Sequence, residues 1–456
     1  MSQTSTPSTE KAVIDPPITM NNVHSDNKNS SKLLMKSPAT TSIQHSTTKV
    51  NIMSLLLSDM NLKQDILSIH GYKKENKLSP TLQGEVFIAS SIKRDYLLIS
   101  GYIHQSLSSL TKPYRNHNIT NLCLKYMESS HKDYVIKRAN KSLHRQRISI
   151  TDNGCKKRVS EDIIKESQLM KMFSLNNPPK ELIKYYDFFA DKNNYYLVME
   201  RGGIGLFEFV VDCHQYILNG KLSIKEWRRT VRIIFAKMVK VIRYFHKTVF
   251  CCNLDISLEN VVMSRDTYFD EQSGRIKNID IRFIDFGLSE QFNISKNPTY
   301  KCTKFVGKSG YKAPKIYNCQ QFMANKADIW SLGCALFMMS IGAPLFQVPG
   351  DTDSGFQLLK YGGHKQILIL LQNWNRLNYI GKNQFNLLMK MLCINEKKRI
   401  NIDDIIKHQW IKTYFDSIII CSKTTLVNKR IKSPLIIESE TNTVDQIGEE
   451  ICASVE

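Results

Sequence analysis

Three oxygen-bearing side chains fall in one stretch of the chain: Asp255, Asn260 five residues later, and Asp285 ahead of Phe286 and Gly287. Each adjoins a short apolar or β-branched run, in FCCNLDISLENVV and in IRFIDFG. Carboxylate and amide oxygens are what Mg²⁺ takes from a protein, completing its octahedron with phosphate and water. Asp and Asn also cap turns, so spacing alone leaves a structural use open. Lys137 ends the apolar run YVIK. A lysine there can reach a pair of phosphates if a carboxylate holds it in place.

The elements that must position these groups follow from pattern. The short apolar runs YLLISGYI (96–103), ITNLCLKYM (119–127) and YVIKRA (134–139) read as three antiparallel strands. Residues 160–173, SEDIIKESQLMKMF, put Ile163, Ile164, Leu169, Met170 and Phe173 on one helical face, with Ser160 as the expected N-cap. IKYYDFFAD (183–191) and NYYLVME (194–200) read as two further strands. Beyond Gly205 the pattern is helical: a long amphipathic helix over 224–249, a helix over 327–342 apolar on nearly every side, and shorter ones over 385–394 and 402–411.

Residues 1–50 are rich in Ser, Thr, Asn and Pro, a composition that does not build a core. Residues 51–94 read as an N-terminal extension, its first part amphipathic with Met53, Leu56, Leu57, Met60, Ile66 and Ile69 at helical spacing. The folded domain is expected over 95–415 (small lobe 95–200, large lobe 205–415), followed by a polar, acidic tail over 421–456.

The net charge of +21 can attract anionic partners, but the cations are spread along the chain with no basic run interleaved with aromatics. That argues against a dedicated nucleic-acid surface. The longest apolar candidate for a membrane span, 334–348, is broken by Gly342 and Pro344. Eleven scattered cysteines without a CxxC pair or a signal peptide suit reduced thiols in an intracellular compartment, cytoplasmic or nuclear.

In this order the motifs resemble those of the eukaryotic protein kinase superfamily. DISLEN is similar to the catalytic loop HRDxxxxN, IDFG to the metal-binding DFG, and VIK to VAIK. VGKSGYKAPK (306–315) resembles the segment that closes the activation loop, and ADIWSLG resembles DxWSxG with Asp328 supporting the catalytic loop. The resemblance implies an α+β, two-lobed fold, with a five-stranded antiparallel sheet and one helix in the small lobe and a mainly helical large lobe. It implies ATP and Mg²⁺ as cofactors and a protein hydroxyl as acceptor, serine or threonine rather than tyrosine.

The same resemblance assigns roles. Asp255 is the catalytic base; Asn260 and Asp285 hold metal; Lys137 pairs with Glu166, with Glu161 as the alternative carboxylate. Val135, Met199, Glu200 and Val262 line the adenine site.

Departures from the family pattern are equally specific. No GxGxxG occurs; between the expected first two strands stands SGYIHQSLSSLTKPYRN with Gly101 alone. Asn253 and Leu254 replace the His-Arg of the catalytic loop, so no cation beside Asp255 awaits an activation-loop phosphate on Thr299, Tyr300 or Thr303. Ser257 stands where a lysine usually contacts the γ-phosphate, while Lys308 stands where threonine is usual. The cation is therefore expected to have moved to Lys308, projecting toward Ser257 and Asp255. Lys315 replaces the glutamate that normally pairs with the arginine matched by Arg399, so either an acidic residue intervenes or Arg399 turns away. These losses keep a second reading in view, a pseudokinase acting as a nucleotide-binding or scaffolding module.

Overall fold

The computed structural model describes residues 66–70, 72–81, 83–91, 133–150, 156–158, 160–412 and 414–416. The expectations for residues 1–50, for 51–65 and for 421–456 lie outside the described residues.

Five strands form the small lobe: β1 (Tyr72–Thr81), β2 (Gly84–Ser91), β3 (Asp133–Asn140), β4 (Tyr185–Ala190) and β5 (Asn194–Glu200). They pair antiparallel in the order β1-β2-β3-β5-β4. The α+β two-lobed architecture and its five-stranded sheet are as expected; the origin of the first two strands is not. β1 and β2 come from residues assigned to the extension, so the sheet begins upstream of residue 95. Runs 96–103 and 119–127 fall in the β2–β3 connection, outside the described residues.

The reason is visible in β1, YKKENKLSPT, whose side chains are almost all exposed. A solvated edge strand carries no alternating apolar signal, and charged edges resist unwanted pairing. Thr81 pairs with Gly84, so the hairpin turns on two residues. A Cβ on Gly84 would lie 1.9 Å from the Arg138 carbonyl oxygen, so only glycine lets the hairpin press against β3.

Helix α1 (Ile163–Leu175) packs Ile163, Glu166, Leu169, Met170 and Phe173 inward. Its N-cap is Asp162, not Ser160: the Asp162 side chain accepts from the amides of Ile164 and Lys165. On the sheet's other face Leu67 is buried with Phe87, Ile136, Phe189, Tyr196 and Val198, and His70 stacks on Phe189 at 3.7 Å. The described end of the extension therefore packs on the folded body.

The large lobe contains α2 (Leu206–Leu218), α3 (Ile224–Lys247), α4 (Ala324–Ile341), α5 (Lys382–Met391) and α6 (Ile402–Ile406). Nearly every residue of α4 is buried, matching its unbroken apolar sequence. Short strands β6 (Cys251–Cys252), β7 (Val261–Met263), β8 (Ile281–Phe283) and β9 (Glu290–Gln291) frame the catalytic stretch, β8 pairing with β7 and β9 with β6. One continuous apolar core joins α1, α3 and α4 across the lobes. Within it Phe286 packs edge-on to Phe173 and Phe245 at 5.5 and 5.8 Å.

No helix among the described residues is long and apolar enough to cross a membrane. Among the described residues the cysteines, Cys251 and Cys252 included, are free thiols.

Candidate active site

Lys137 sits in the central strand β3, with β2 and β5 on either side, and its side chain points down toward the large lobe. Its Nζ donates to Glu166 Oε2 at 2.8 Å and to Asp285 Oδ1 at 3.4 Å. Burial works against the ammonium, but Asp285 and Glu166 beside it raise its pKa above the ordinary lysine range. The choice between Glu166 and Glu161 thus falls to Glu166, whose other oxygen accepts the Phe286 amide at 3.1 Å. Glu161 lies against Gly287 instead, and burial together with Asp285 pushes its carboxyl up.

What fixes Glu166 is the start of α1. His144 Nε2 lies 2.9 Å from Asp162 Oδ1, and Arg147 donates to Asp162 Oδ2 at 2.6 Å. Burial would raise the Asp162 carboxyl, yet these bonds hold it down to about 2.

Asp255, Asn260 and Asp285 come together at the top of the large lobe. Asn260 Nδ2 donates to the Asp255 carbonyl at 2.9 Å and to Asp255 Oδ2 at 2.7 Å. Asp255 Oδ1 is buried without a protein donor. Burial pushes the Asp255 carboxyl up to about 6, with Lys308 opposing and Asp285 adding to the rise. At Asp285 the balance reverses: burial is outweighed by Lys137, the Gly287 amide and Lys308, which hold the carboxyl below its ordinary value. Leu254 and Asp285 both adopt φ of 63°, a left-handed backbone that costs energy for residues with a Cβ.

The catalytic loop hangs from α4. Asp328 accepts the amides of Asn253 (2.9 Å) and Leu254 (2.8 Å) and contacts His246 Nε2 at 2.8 Å. His246, Cys252 and Asp328 lie close enough to suggest a metal cluster, but these bonds occupy Asp328. Asn253 is buried; its Oδ1 accepts the Asp255 amide at 3.1 Å while its Nδ2 has no protein partner.

Lys308 reaches this cluster from the activation segment. Its Nζ donates to Ser257 Oγ at 3.1 Å and to Asn260 Oδ1 at 2.8 Å. The segment is held by Tyr311, whose hydroxyl accepts the Leu258 amide at 3.2 Å.

Of the four residues expected to line an adenine site, Val135, Met199 and Glu200 are neighbours in the sheet. Val135 pairs with Met199 across β3 and β5, with Glu200 next along β5. Val262 lies so close to Gly202 that a Cβ there would meet its Cγ2 at 2.3 Å. The glycine-loop position is the two-residue β1–β2 turn, not the segment around Gly101. Gln83 in that turn is buried, its side chain donating to the carbonyls of Leu143 and Ile148, both at 3.2 Å.

The charge conflict at Lys315 is resolved in both ways at once. Lys315 Nζ donates to Glu396 Oε1 at 2.6 Å, and Glu396 Oε2 accepts the Met323 amide at 3.1 Å. Arg399 turns to the carbonyls of Cys393, Lys326 and Ile394 and lies over the Trp330 ring. Sequence reasoning did not single out Glu396, Asp162, His246 or Tyr311. Each acts through a neighbour distant in the chain, which no local spacing displays.

A family model described as protein kinase domain matches residues 122–411, more than half of the chain. The human "SNF-related serine/threonine-protein kinase" is 28% identical over 251 residues, 55% of this chain and 28% of the relative; its rat counterpart aligns equally. "Calcium-dependent protein kinase 4" of Plasmodium falciparum (isolate 3D7) is 26% identical over 284 residues, 61% of this chain and 47% of the relative. The chain thus spans less than half the length of these relatives. With the two lobes, the Lys137–Glu166 pair and the Asp255–Asn260–Asp285 cluster in place, the chain belongs to the protein kinase family.

Proposed function

We propose that this protein transfers the γ-phosphoryl group of ATP to a serine or threonine hydroxyl of a protein, with Mg²⁺. The observation that carries this reading is that Lys137 and Lys308, each far along the chain from the Asp255–Asp285 stretch, reach its Asp285 and Asn260 side chains respectively. Lys137, held by Glu166, would bind the nucleotide's phosphates, and Val135, Met199, Glu200 and Val262 would flank its base. Asp255 has Oδ2 fixed by Asn260 and Oδ1 without a protein donor. That suits it to orient an acceptor hydroxyl and take its proton.

Asp285 suits Mg²⁺, since its carboxyl stays ionised and, among the described residues, no hydrogen bond reaches its Oδ2. Asn260 offers the second ligand oxygen expected from the sequence, an oxygen that contacts Lys308 here. When bound, Mg²⁺ would neutralise phosphate charge. Lys308 would add a fixed positive charge at the γ-phosphate, a role preorganised electrostatics performs well.

The two-residue β1–β2 turn favours a second reading, the pseudokinase, because it provides no glycine-rich backbone to cradle phosphates. Incubation with Mg²⁺, labelled ATP and a protein substrate, beside an Asp285→Ala control, separates the two. Label transfer above the control supports catalysis, and transfer equal to it supports the scaffold.

A further inference from the structure

Glu290 in β9 joins three parts of the site: the strand leading into the catalytic loop, helix α1 and the activation segment. Its backbone pairs with Cys252, two residues before Leu254 and three before Asp255. Its Oε2 accepts from Lys165 Nζ at 2.7 Å, and Lys165 directly precedes Glu166 on α1. The same oxygen accepts from Lys304 Nζ, four residues before Lys308 on the activation segment. The two lysines and their shared carboxylate are partly exposed, so water and salt reach the network.

We propose that Glu290 is a positioning residue that sets α1 and the activation segment together without phosphorylation. This rests on the kinase reading and deepens it by naming how the site is kept assembled. Leu254, standing where the family pattern has arginine, removes the usual receiver for a phosphate. A carboxylate held between two lysines supplies the bridge with charges the chain already carries. Through Lys165 it bears on Glu166, and so on the Lys137 pair. Through Lys304 it bears on Lys308, and so on Ser257 and Asn260. The bridge is complete as soon as the chain folds.

Hydrogen–deuterium exchange on the full chain tests the coupling without relying on catalysis. In Glu290→Gln, amides of both 163–175 and 300–308 are expected to exchange faster than in the wild type. Adding Lys304→Met to Glu290→Gln should change exchange little further, because the interaction is already gone. Lys304→Arg, which keeps the charge, should behave as the wild type. Lys304 is exposed and Glu290 partly so, and a melting curve verifies that each variant keeps its fold. Faster exchange in only one segment, or additive effects of the two substitutions, overturns the proposal.

The activity arm is separate. Phosphatase-treated wild type should keep its transfer rate, and Glu290→Gln should lower kcat about fivefold or more, roughly 1 kcal/mol of barrier. Loss of activity on phosphatase treatment also overturns the proposal. A chain that transfers no phosphate in any form refutes the kinase reading, while exchange still decides the role of Glu290.

Discussion

Lys308 Nζ lies 2.8 Å from Asn260 Oδ1, although the two residues come from the activation segment and the catalytic loop. A charge that depends on one segment reaching another is a strong point for mutagenesis. Lys308→Met is expected to lower kcat by about 10²-fold, the usual scale for losing one preorganised charge at a developing anion. The melting temperature should change little. A kcat within about twofold of the wild type, some 0.4 kcal/mol of barrier, would remove Lys308 from the mechanism.

The pH profile follows from Asp255, whose carboxyl is pushed up to about 6 by burial. Base catalysis needs the carboxylate, so kcat/KM should fall as pH drops below about 6 and level off above it. Because Lys308 pulls this value down, Lys308→Met should move the acid limb to higher pH. Steady-state rates between pH 5 and 8 in both proteins give the answer; an unmoved limb would separate the two groups.

Acid stability should report Asp162. A carboxyl held at about 2 in the folded state, below its unfolded value near 3.9, stabilises the fold fully above that unfolded value. The contribution is lost as pH falls through about 2. After allowance for the partly exposed Arg147, Asp162→Asn should cost about 1–2 kcal/mol at neutral pH and almost nothing at pH 2. Denaturant titrations at the two pH values test both halves of the statement.

Restoring the family's residue at position 315 should harm this protein. Lys315→Glu would place two carboxylates together at the buried Glu396, with a cost of about 2–4 kcal/mol. Lys315→Glu combined with Glu396→Lys should recover most of it. Thermal melts of the three proteins decide the matter, and a neutral single substitution would mean that Lys315 and Glu396 do not pair in solution.

The part of the site visible in sequence is the part where chemistry dictates the residue type. A metal or proton acceptor needs an oxygen, so Asp255, Asn260 and Asp285 stood out, and the odd placement of Lys308 against Ser257 was legible for the same reason. β1 was not, because its charged, solvated side chains carry no periodic trace of the sheet they belong to. The hydrophobic run at 96–103 attracted the assignment instead. Ser160 and Asp162 are both capable caps two residues apart, and only His144 and Arg147, folded back on Asp162, decide between them. Glu396 and Glu290 were invisible because their partners are brought by the fold.

The turn between Thr81 and Gly84 has a pharmacological consequence. With so little of the described chain above the proposed phosphate site, inhibitors that owe their grip to a folded-over lid should bind poorly. Compounds anchored along Met199, Glu200 and Val262 should keep theirs. Profiling a panel of both kinds by calorimetry would reveal the bias, and equal losses across the panel would mean that another part of the chain serves as the lid.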